Sequence, residues 1–263
     1  MAQTPITVSK LTGGYNGTPV IHDCSMRIDS GEIVVIMGGS GSGKSTFLRH
    51  LIGLKEPMQG DVLLFGQSLY GASELDRLQL LKGIGVAFQS GALLSSLSVA
   101  ENVALPLTEH TELDRETIDV IVRMKLDFVG LLGKEDLLPS ELSGGMLKRV
   151  AVARAIALDP RLTFMDEPSA GLDPVVAAAL DELIIKLRDS LGMSVVVVTH
   201  ELESAFKIAD RIVVLDRGHI IFSGSVAEIK ASSNRRIQNL INRVAEEEEF
   251  DPETHLRRLV GEF

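Results

Sequence analysis

A glycine-rich stretch between an apolar run and a helix-like run constrains the fold of this chain more than any other segment. The apolar residues 33–37 predict a buried strand, and residues 47–52 have the spacing of a helix. Between the two runs lie Gly38, Gly39, Ser40, Gly41, Ser42, Gly43, Lys44, Ser45 and Thr46. A strand, a glycine loop and a helix in this order are the setting of a phosphate-binding P-loop, whose backbone N–H groups surround phosphate oxygens. In that setting Lys44 supplies a charge for the outer phosphates, and the Ser45 hydroxyl is a ligand for Mg²⁺.

Composition limits the kinds of partner. With 26 Lys and Arg residues against 36 Asp and Glu residues, the 263-residue chain has a formal net charge of −10. This argues against nucleic acid as a main partner, because binding it needs a basic surface. Cys24 is the one cysteine of the sequence, so an internal disulfide is excluded. With no signal peptide and no apolar run near the roughly 20 residues that cross a bilayer, we expect a soluble protein; any membrane span would belong to another chain.

The rest of the chain has the pattern of an α/β protein with a helical insertion. Residues 6–30 predict two strands joined by a glycine-rich turn. Tyr15 is expected to be exposed at this turn, where it either stacks on a nucleotide base or packs on the sheet. Apolar residues at helical spacing over 98–138 predict helices inserted into the α/β core, interrupted at Pro106 and Pro139.

Two adjacent carboxylates follow a buried strand. Residues 162–165 are Leu, Thr, Phe and Met, and Asp166 and Glu167 come directly after them. Such a strand is expected beside the P-loop strand, with Asp166 reaching Mg²⁺ through water and Glu167 facing an attacking water. A solvated turn is the alternative, and the apolar run before the acids makes it the weaker one.

Three further polar positions have competing local interpretations. Gln89 ends a short predicted strand and His200 follows an apolar one, so both can lie at the ligand edge of an open α/β sheet. Ser143 stands where a helix N-cap belongs, and Gly144 and Gly145 leave backbone N–H groups uncovered for an anion. Taken locally, the non-functional interpretation is favoured for each: Gln89 as a loop residue, His200 as a structural histidine and Ser143 as an ordinary cap.

Together these motifs resemble the nucleotide-binding domain of ABC transporters over residues 1–230. The resemblance implies an α/β fold: a P-loop NTPase (RecA-like) core with an antiparallel β subdomain and a helical ABC-specific insertion at about 95–158. Residues 231–263 would form a C-terminal helical extension. The matching segments are the adenine-stacking aromatic Tyr15, Walker A at 38–45, the Q-loop residue Gln89, the ABC signature at 142–146, Walker B at 162–167, the D-loop at 169–173 and the switch histidine His200.

The resemblance also implies roles for these residues. ATP and Mg²⁺ would bind at the P-loop, with Ser45, Gln89 and Asp166 around the metal ion. Glu167 would polarise the attacking water and His200 would contact the γ-phosphate, so that both are catalytic.

The same resemblance implies a head-to-tail dimer with two-fold symmetry. Ser143, Gly144 and Gly145 would bind the ATP held by a second copy of the chain, and Asp173 would lie at the dimer interface. ATP held between two copies would favour the closed dimer, and hydrolysis would release it.

Three segments carry a finer resemblance. Residues 88–93, 105–111 and 139–146 resemble the ATPases of Mla (maintenance of lipid asymmetry) phospholipid transporters, which carry Met, here Met146, where most ABC ATPases carry Gln. This implies that the chain helps to move phospholipids between the inner and outer membranes of a Gram-negative bacterium, from the cytoplasmic face of the inner membrane. The implied partners are a permease of the MlaE type, an MCE-domain lipid-binding protein and, as a further candidate, a STAS-domain subunit.

Two other functions compete with this interpretation. An ABC ATPase for lipoprotein release or for division-type mechanotransmission would have the same motifs, and Met146 argues against it. A nucleotide-binding scaffold without turnover is disfavoured by Lys44, Glu167 and His200, which hydrolysis would require.

The C-terminal extension predicts two amphipathic helices, separated by an acidic run at 246–249. Their apolar stripes need a surface to cover, which is either the core of this chain or that of a partner. We expect these helices to pack on the neighbouring ATPase copy or on an accessory subunit.

Overall fold

The computed structural model of the protein describes residues 4–244, in which ten strands form two sheets. The strands are β1 (Ile6–Tyr15), β2 (Thr18–Ile28), β3 (Ile33–Met37), β4 (Gln59–Leu64), β5 (Gln67–Ser68), β6 (Ile84–Ala87), β7 (Leu162–Asp166), β8 (Ser194–Val198), β9 (Arg211–Asp216) and β10 (His219–Gly224). The helices of the same part of the chain are α1 (Lys44–Leu51), α2 (Glu74–Lys82), α3 (Val99–His110), α4 (Arg115–Phe128), α5 (Gly144–Ala155), α6 (Pro174–Leu191), α7 (Leu202–Ile208), α8 (Val226–Lys230) and α9 (Arg235–Ile241), with a 3₁₀ turn at Pro139–Glu141. Among these helices none is long and apolar enough to cross a membrane.

The six-stranded sheet carries the glycine-rich loop. Its strand order is β10-β9-β3-β8-β7-β6. The strands from β9 to β6 are parallel, and β10 is antiparallel at one edge. β3 and β8 are buried at every residue, as expected for central parallel strands that are covered on both faces. The second sheet, β2-β1-β4-β5, is antiparallel and matches the predicted β subdomain.

The acidic strand β7 does not lie beside β3, so this expectation is wrong. β8 lies between them, because Val198 of β8 pairs with Ile36 of β3 on one side and with Asp166 of β7 on the other. Several apolar runs of this chain suit a central strand equally well, and their order depends on how the connecting helices cross the sheet. Since these strands are parallel, Asp166 still lies at the same carboxyl edge as the loop, one strand further away.

The large sheet separates two hydrophobic cores through the alternation of its strands. Ile33 and Val35 face a core that includes the helical insertion and helices α6 to α9. Val34 and Ile36 face the other core, which lies against α1 and the antiparallel sheet. The glycine-rich loop therefore leaves a strand that is fixed by packing on both sides.

Helices α3 and α4 lie where the apolar spacing predicts them, but Pro106 does not interrupt them. It lies inside α3. An interior proline removes one helical hydrogen bond and crowds the carbonyl four residues earlier. The helix continues because Ser98 and Glu101 form a capping box at its start and its apolar face is buried. Pro139, by contrast, begins the 3₁₀ turn.

Helix α9 packs on the core of its own chain. Ile237 is 1% exposed, and Leu240 and Ile241 pack against the same cluster, which includes Ile229 of α8. The expectation that the extension packs on another subunit is therefore wrong for the apolar face of this helix. The acidic run and the second predicted helix lie outside the described residues.

Candidate functional site

The glycine-rich loop joins β3 to α1 at the carboxyl edge of the sheet. Gly43 precedes α1 with a φ of 103°, a left-handed conformation that glycine adopts without strain. A Cβ atom at Gly38 would lie 2.2 Å from the carbonyl oxygen of Leu215, so no larger residue fits there. The Gly218 N–H holds the loop from outside by donating to the Ser42 carbonyl at 3.0 Å. The first N–H groups of α1 have no helical acceptors and are available to an anion.

Lys44 points into this loop. Its ammonium donates hydrogen bonds to the carbonyl oxygens of Gly38 at 2.8 Å and Gly39 at 3.0 Å. Burial lowers the pKa of Lys44, and the nearby charges of Glu167 and Asp166 oppose this shift. The loop cation and the two predicted carboxylates are thus brought into one site.

Tyr15 is exposed at the end of β1, as the sequence predicts. Its ring is 37% exposed, its hydroxyl accepts a hydrogen bond from Arg49, and the Lys55 ammonium lies 3.7 Å from the ring centroid. The hydrogen bond with Thr46, and then that with Arg49, lower the pKa of Tyr15 despite its partial burial. Stacking on adenine stays a prediction, and it would use the ring face that Lys55 does not cover.

Asp166 is the last residue of β7 and Glu167 follows it, and the two side chains lie in different environments. Asp166 is half-buried, and burial, followed by the neighbouring Glu167 charge, raises its pKa. Glu167 is 8% exposed and has a φ of 46°, which is uncommon for a residue with a side chain. Its N–H donates to the Val198 carbonyl at 2.8 Å. This contact with β8 turns the Glu167 side chain towards the residues that follow β8.

Glu167 and His200 form a hydrogen-bonded pair. His200 Nδ1 lies 2.8 Å from one carboxylate oxygen of Glu167. The other oxygen accepts from the Thr199 hydroxyl at 3.2 Å and from the His200 N–H at 3.4 Å. A carboxylate only accepts, so Nδ1 carries the proton in this pair and Nε2 faces the other way. The imidazole is 62% exposed, whereas the carboxylate is 11% exposed.

Lys148 of α5 connects Gln89 to the acidic strand end. Gln89 is exposed just after β6, and its backbone carbonyl accepts a hydrogen bond from the Lys148 ammonium. The same ammonium donates to the Glu167 carbonyl at 3.0 Å. Burial lowers the pKa of Lys148, and Glu167 and Asp166 oppose the shift.

The glycines after Ser143 lie against the start of α6. Ser143 caps α5 by accepting from the Met146 N–H at 3.3 Å, as its position in the sequence predicts. A Cβ atom at Gly145 would lie 2.5 Å from Val176 Cγ1, so this approach requires glycine. Asp173 caps α6 by accepting from the Val175 and Val176 N–H groups, each at 3.1 Å.

Two predicted groups remain apart within this single copy. A cavity of about 320 Å³ lies beside the loop, and its walls come from residues 38–42, β9, β10, α9 and the residues after β9 and α9. Ser143, Gly144 and Gly145 are not in these walls. The Ser143 helix start therefore does not line the cavity beside the loop.

Three contributors to the site are absent from the sequence predictions. Lys148 lies four residues after Gly144, on the same face of α5, which is a usable sequence signal. The Thr199 hydroxyl precedes His200 at the same strand end and was open to the same reasoning. Helix α9 lines the loop cavity through Asn239 and Leu240, and no sequence feature predicts that placement.

Sequence comparison gives one family and several curated relatives. The profile of the ABC transporter family matches residues 21–170. The chain is 39% identical over 237 residues to the intermembrane phospholipid transport system ATP-binding protein MlaF of Haemophilus influenzae, covering 90% of both chains. It is 39% identical to MlaF of Escherichia coli K12, covering 86% of this chain and 84% of the relative. It is 37% identical to the probable ribonucleotide transport ATP-binding protein mkl of Mycobacterium leprae, covering 90% and 68%.

Solved structures with the same architecture are ATP-binding cassettes. A dimeric post-hydrolysis state of the cassette MJ0796, bound to ADP and phosphate, superposes with a TM-score of 0.77 at 30% identity over 84% of this chain and 98% of that one. The cassette cbiO1 of Clostridium perfringens, part of the transporter complex cbiONQ, superposes with a TM-score of 0.80 at 27% identity over 97% and 99%. The predicted fold class is confirmed. The chain belongs to the ABC transporter family and is one of its ATP-binding, ATP-hydrolysing proteins.

Proposed function

We propose that this ATPase drives an ABC transporter that moves phospholipids between two membranes. Two observations support this cargo: relatives named as intermembrane phospholipid transport proteins match at 39% identity, and Met146 replaces the usual Gln of the signature. The observation that carries the hydrolytic chemistry is the Glu167–His200 pair at 2.8 Å, beside the loop that holds Lys44.

The site has the ligands that Mg²⁺ prefers. Ser45, Asp166 and Gln89 offer oxygen atoms, which are the usual ligands of this hard cation. Burial and the Glu167 charge raise the pKa of Asp166, so a nearby cation would stabilise its charged form. When bound with ATP, Mg²⁺ supplies charge neutralisation at the phosphates. Ser45 and Asp166 would hold the ion, and Gln89 would reach it from its exposed loop.

Glu167 would act as the general base and His200 as its partner on the phosphate side. The carboxylate is held by Thr199 and by the His200 N–H and ring, which would fix it for the activation of a water in front of the γ-phosphate. Because His200 Nδ1 donates to Glu167, Nε2 can donate to a phosphate oxygen only when the ring carries both protons. Lys44 would leave the carbonyls of its loop for the phosphates, which are stronger acceptors.

A second copy of the chain would complete the nucleotide site. The Ser143 helix start lies apart from the loop of its own copy, and both are anion-binding ends. A two-fold dimer in which each loop faces the other copy's Ser143, Gly144 and Gly145 satisfies both ends, and the dimeric cassette structures support this arrangement. Asp173, which caps α6 beside these glycines, would then lie at the dimer interface.

A groove along β6, the strand that precedes Gln89, is our proposed docking site for the permease. It has a volume of about 490 Å³ and is walled by α2, β6, the end of α3, and the end of α5 with the residues after it. Leu75 and Leu78 of α2, which are 77% and 49% exposed, give it an apolar rim. Ile84 and Val86 of β6 also line it. A permease helix seated there would push on β6, which ends two residues before Gln89.

The test of the hydrolytic assignment is Glu167→Gln. The substitution keeps the size of the side chain, replaces one acceptor oxygen by an NH₂ donor and removes its basicity, so turnover should fall by about 100-fold or more. ATP binding should persist, and ATP should accumulate a closed dimer, measured by size-exclusion chromatography with light scattering. Glu182→Gln, a carboxylate outside the site that pairs with Lys207, is the matched control. Normal hydrolysis in Glu167→Gln would overturn the role of Glu167.

The test of the cargo and partners uses the assembled complex. Purifying the tagged chain from its native membranes should recover a permease of the MlaE type and an MCE-domain protein, with a STAS-domain subunit as the further candidate. The double variant Leu75→Glu, Leu78→Glu should lose the permease and still bind ATP. In proteoliposomes the recovered complex should transfer labelled phospholipid in an ATP-dependent manner. Movement of ribonucleotides without phospholipid transfer would contradict the proposal, as would permease recovery with the double variant.

A further inference from the structure

Lys148 joins three parts of the molecule through one ammonium group. It lies in the second turn of α5, five residues after the cap Ser143. Its ammonium bonds to the carbonyls of Gln89 and Glu167. The start of α5, the loop after β6 and the end of β7 therefore meet at this side chain.

The other hydrogen bonds of Glu167 come from the sheet and from the loop after β7, whose Ala170 N–H donates to the Glu167 carbonyl at 3.3 Å. The N–H and carboxylate of Glu167 bond to Val198, Thr199 and His200, which belong to β8 and the two residues after it. Within residues 4–244, Lys148 supplies the hydrogen bond to Glu167 from the helical insertion. Any rotation of α5 relative to the sheet would pull on this bond or break it.

We propose that Lys148 is a positioning residue that couples the Ser143 start of α5 to the catalytic carboxylate of the same copy. The inference rests on the proposed function, in which Ser143 contacts the ATP of the partner copy and Glu167 activates the water. Ser143 and Lys148 are about 7.5 Å apart along one helix. The helix moves as a rigid body over that distance, so engagement of Ser143 sets the position of the Lys148 ammonium.

The electrostatic setting makes this link strong and specific. Lys148 is half-buried, and Asp166 and Glu167 stabilise its charged form against burial. Carbonyl acceptors hold a buried ammonium by charge-assisted hydrogen bonds, which are about twice as strong as neutral ones. Losing the Lys148 bond leaves the Glu167 carbonyl with the longer hydrogen bond from Ala170, at 3.3 Å. Because Glu167 has a left-handed backbone, it is then freer to relax and to misplace its carboxylate. Gln89 loses the same ammonium contact, so β6 and the groove that it lines are uncoupled from hydrolysis.

The experiment measures ATP turnover of Lys148→Met, Lys148→Gln and Lys148→Arg in the full-length protein. Lys148→Met should lower kcat about tenfold or more while the KM for ATP stays within about threefold, since a charge-assisted hydrogen bond is lost and no nucleotide contact is. Lys148→Arg should restore most of kcat. Lys186→Met, which removes a lysine that donates to Phe128 of the helical insertion, is the matched control and should leave turnover unchanged.

A double-mutant cycle tests the coupling itself. If Ser143 and Lys148 act through one helix, the kcat loss of Ser143→Ala with Lys148→Gln should be smaller than the product of the single losses. Multiplicative losses would overturn the coupling. So would a Lys148→Met or Lys148→Gln kcat within twofold of wild type, or no rescue by arginine. Glu167→Gln is measured in parallel: turnover retained there overturns the proposed function, whereas turnover lost there but kept in the Lys148 variants overturns this inference alone.

Discussion

Single residues in this protein differ from their ordinary chemistry because the fold buries them beside charges. Asp166 has a raised pKa and Lys44 a lowered one, each through burial first. Both shifts disfavour the charged forms that bind a metal ion and a phosphate. A bound Mg²⁺ and nucleotide would reverse both, because opposite charges favour ionisation. In the proposed site, relief of these two burial costs would contribute to the affinity for Mg²⁺–ATP.

Burial of His50 makes the stability of the fold depend on pH, independently of catalysis. It is 0% exposed, its Nδ1 pairs with the Lys55 carbonyl at 2.7 Å, and its Nε2 has no hydrogen-bond partner. Burial lowers its pKa. The unfolded chain therefore binds the proton more readily, so this contribution to stability is complete above about pH 6.5 and is lost as the pH falls from there through the folded pKa.

We predict that His50→Gln makes the free energy of unfolding depend less on pH. Glutamine keeps an N–H donor for the Lys55 carbonyl and cannot become charged. Urea denaturation at pH 7.5 and pH 5.5 should show wild type losing more unfolding free energy on acidification than the variant does. Because the two proteins differ at this one position, the difference between them isolates His50. Parallel losses in the two proteins would contradict the assignment.

At the scale of elements, the starts of α3 and α5 are capped in the same way but differ in the residues that follow the cap. Ser143 at α5 and Ser98 at α3 both accept the N–H of the third helical residue, at 3.3 Å and 3.2 Å. Ser98 belongs to a capping box with Glu101, whereas Gly144 and Gly145 follow Ser143. Of these two starts, the one at Ser143 has no side chain at its first two helical positions, as close contact with a ligand or a second copy would require.

The prediction contrasts Ser143→Ala with Ser98→Ala. Each removes a cap and should cost about 1 kcal/mol of stability in chemical denaturation. In the Glu167→Gln background, Ser143→Ala should also weaken the ATP-induced dimer, because the hydroxyl would contact the ATP of the other copy. Ser98→Ala should leave that dimer intact. Equal dimerisation of the two variants would contradict the trans role of Ser143.

At the scale of the whole molecule, α9 closes the core next to the nucleotide loop. Arg236 bonds to Asp216 at 2.5 Å, which fixes the helix to the turn whose Gly218 holds Ser42. Leu240 and Val244 line the loop cavity and also a second cavity that contains His200. The start of the C-terminal extension is thus part of the folded domain and borders the site on two sides.

The prediction is that Ile237→Ala destabilises the domain and Val244→Ala does not. Ile237 is 1% exposed and Val244 is 56% exposed. Truncating the buried isoleucine should cost about 2–5 kcal/mol, whereas the exposed valine should change stability by less than about 0.5 kcal/mol. Thermal unfolding measures both. A stability loss in Ile237→Ala no larger than that in Val244→Ala would mean that α9 does not pack as described.

The sequence predicted most of the residues of the candidate site and part of the fold. Lys44 and Glu167 follow from local motifs because a glycine loop and a strand-end acid each depend on neighbours in the sequence, whereas the role of His200 came from the resemblance to the family. The neighbours of β7 in the sheet and the helix continuing through Pro106 depend instead on packing between distant segments. The local sequence is compatible with several neighbours for β7 and with either a break or a continuous helix at Pro106. In both cases the structure that we expected was wrong.

The amino-acid sequence alone established the phosphate loop, the order of the motifs and the family to which they belong. Those properties reside in short segments whose backbone conformation is decided by glycine, by caps and by apolar alternation. Tertiary structure decided that β8 separates the loop strand from the acidic strand, that Glu167 pairs with His200, that Lys148 reaches both Gln89 and Glu167, and that α9 covers its own core. Each of these is a contact between segments far apart in the chain, and such contacts are selected by the packing of the whole domain.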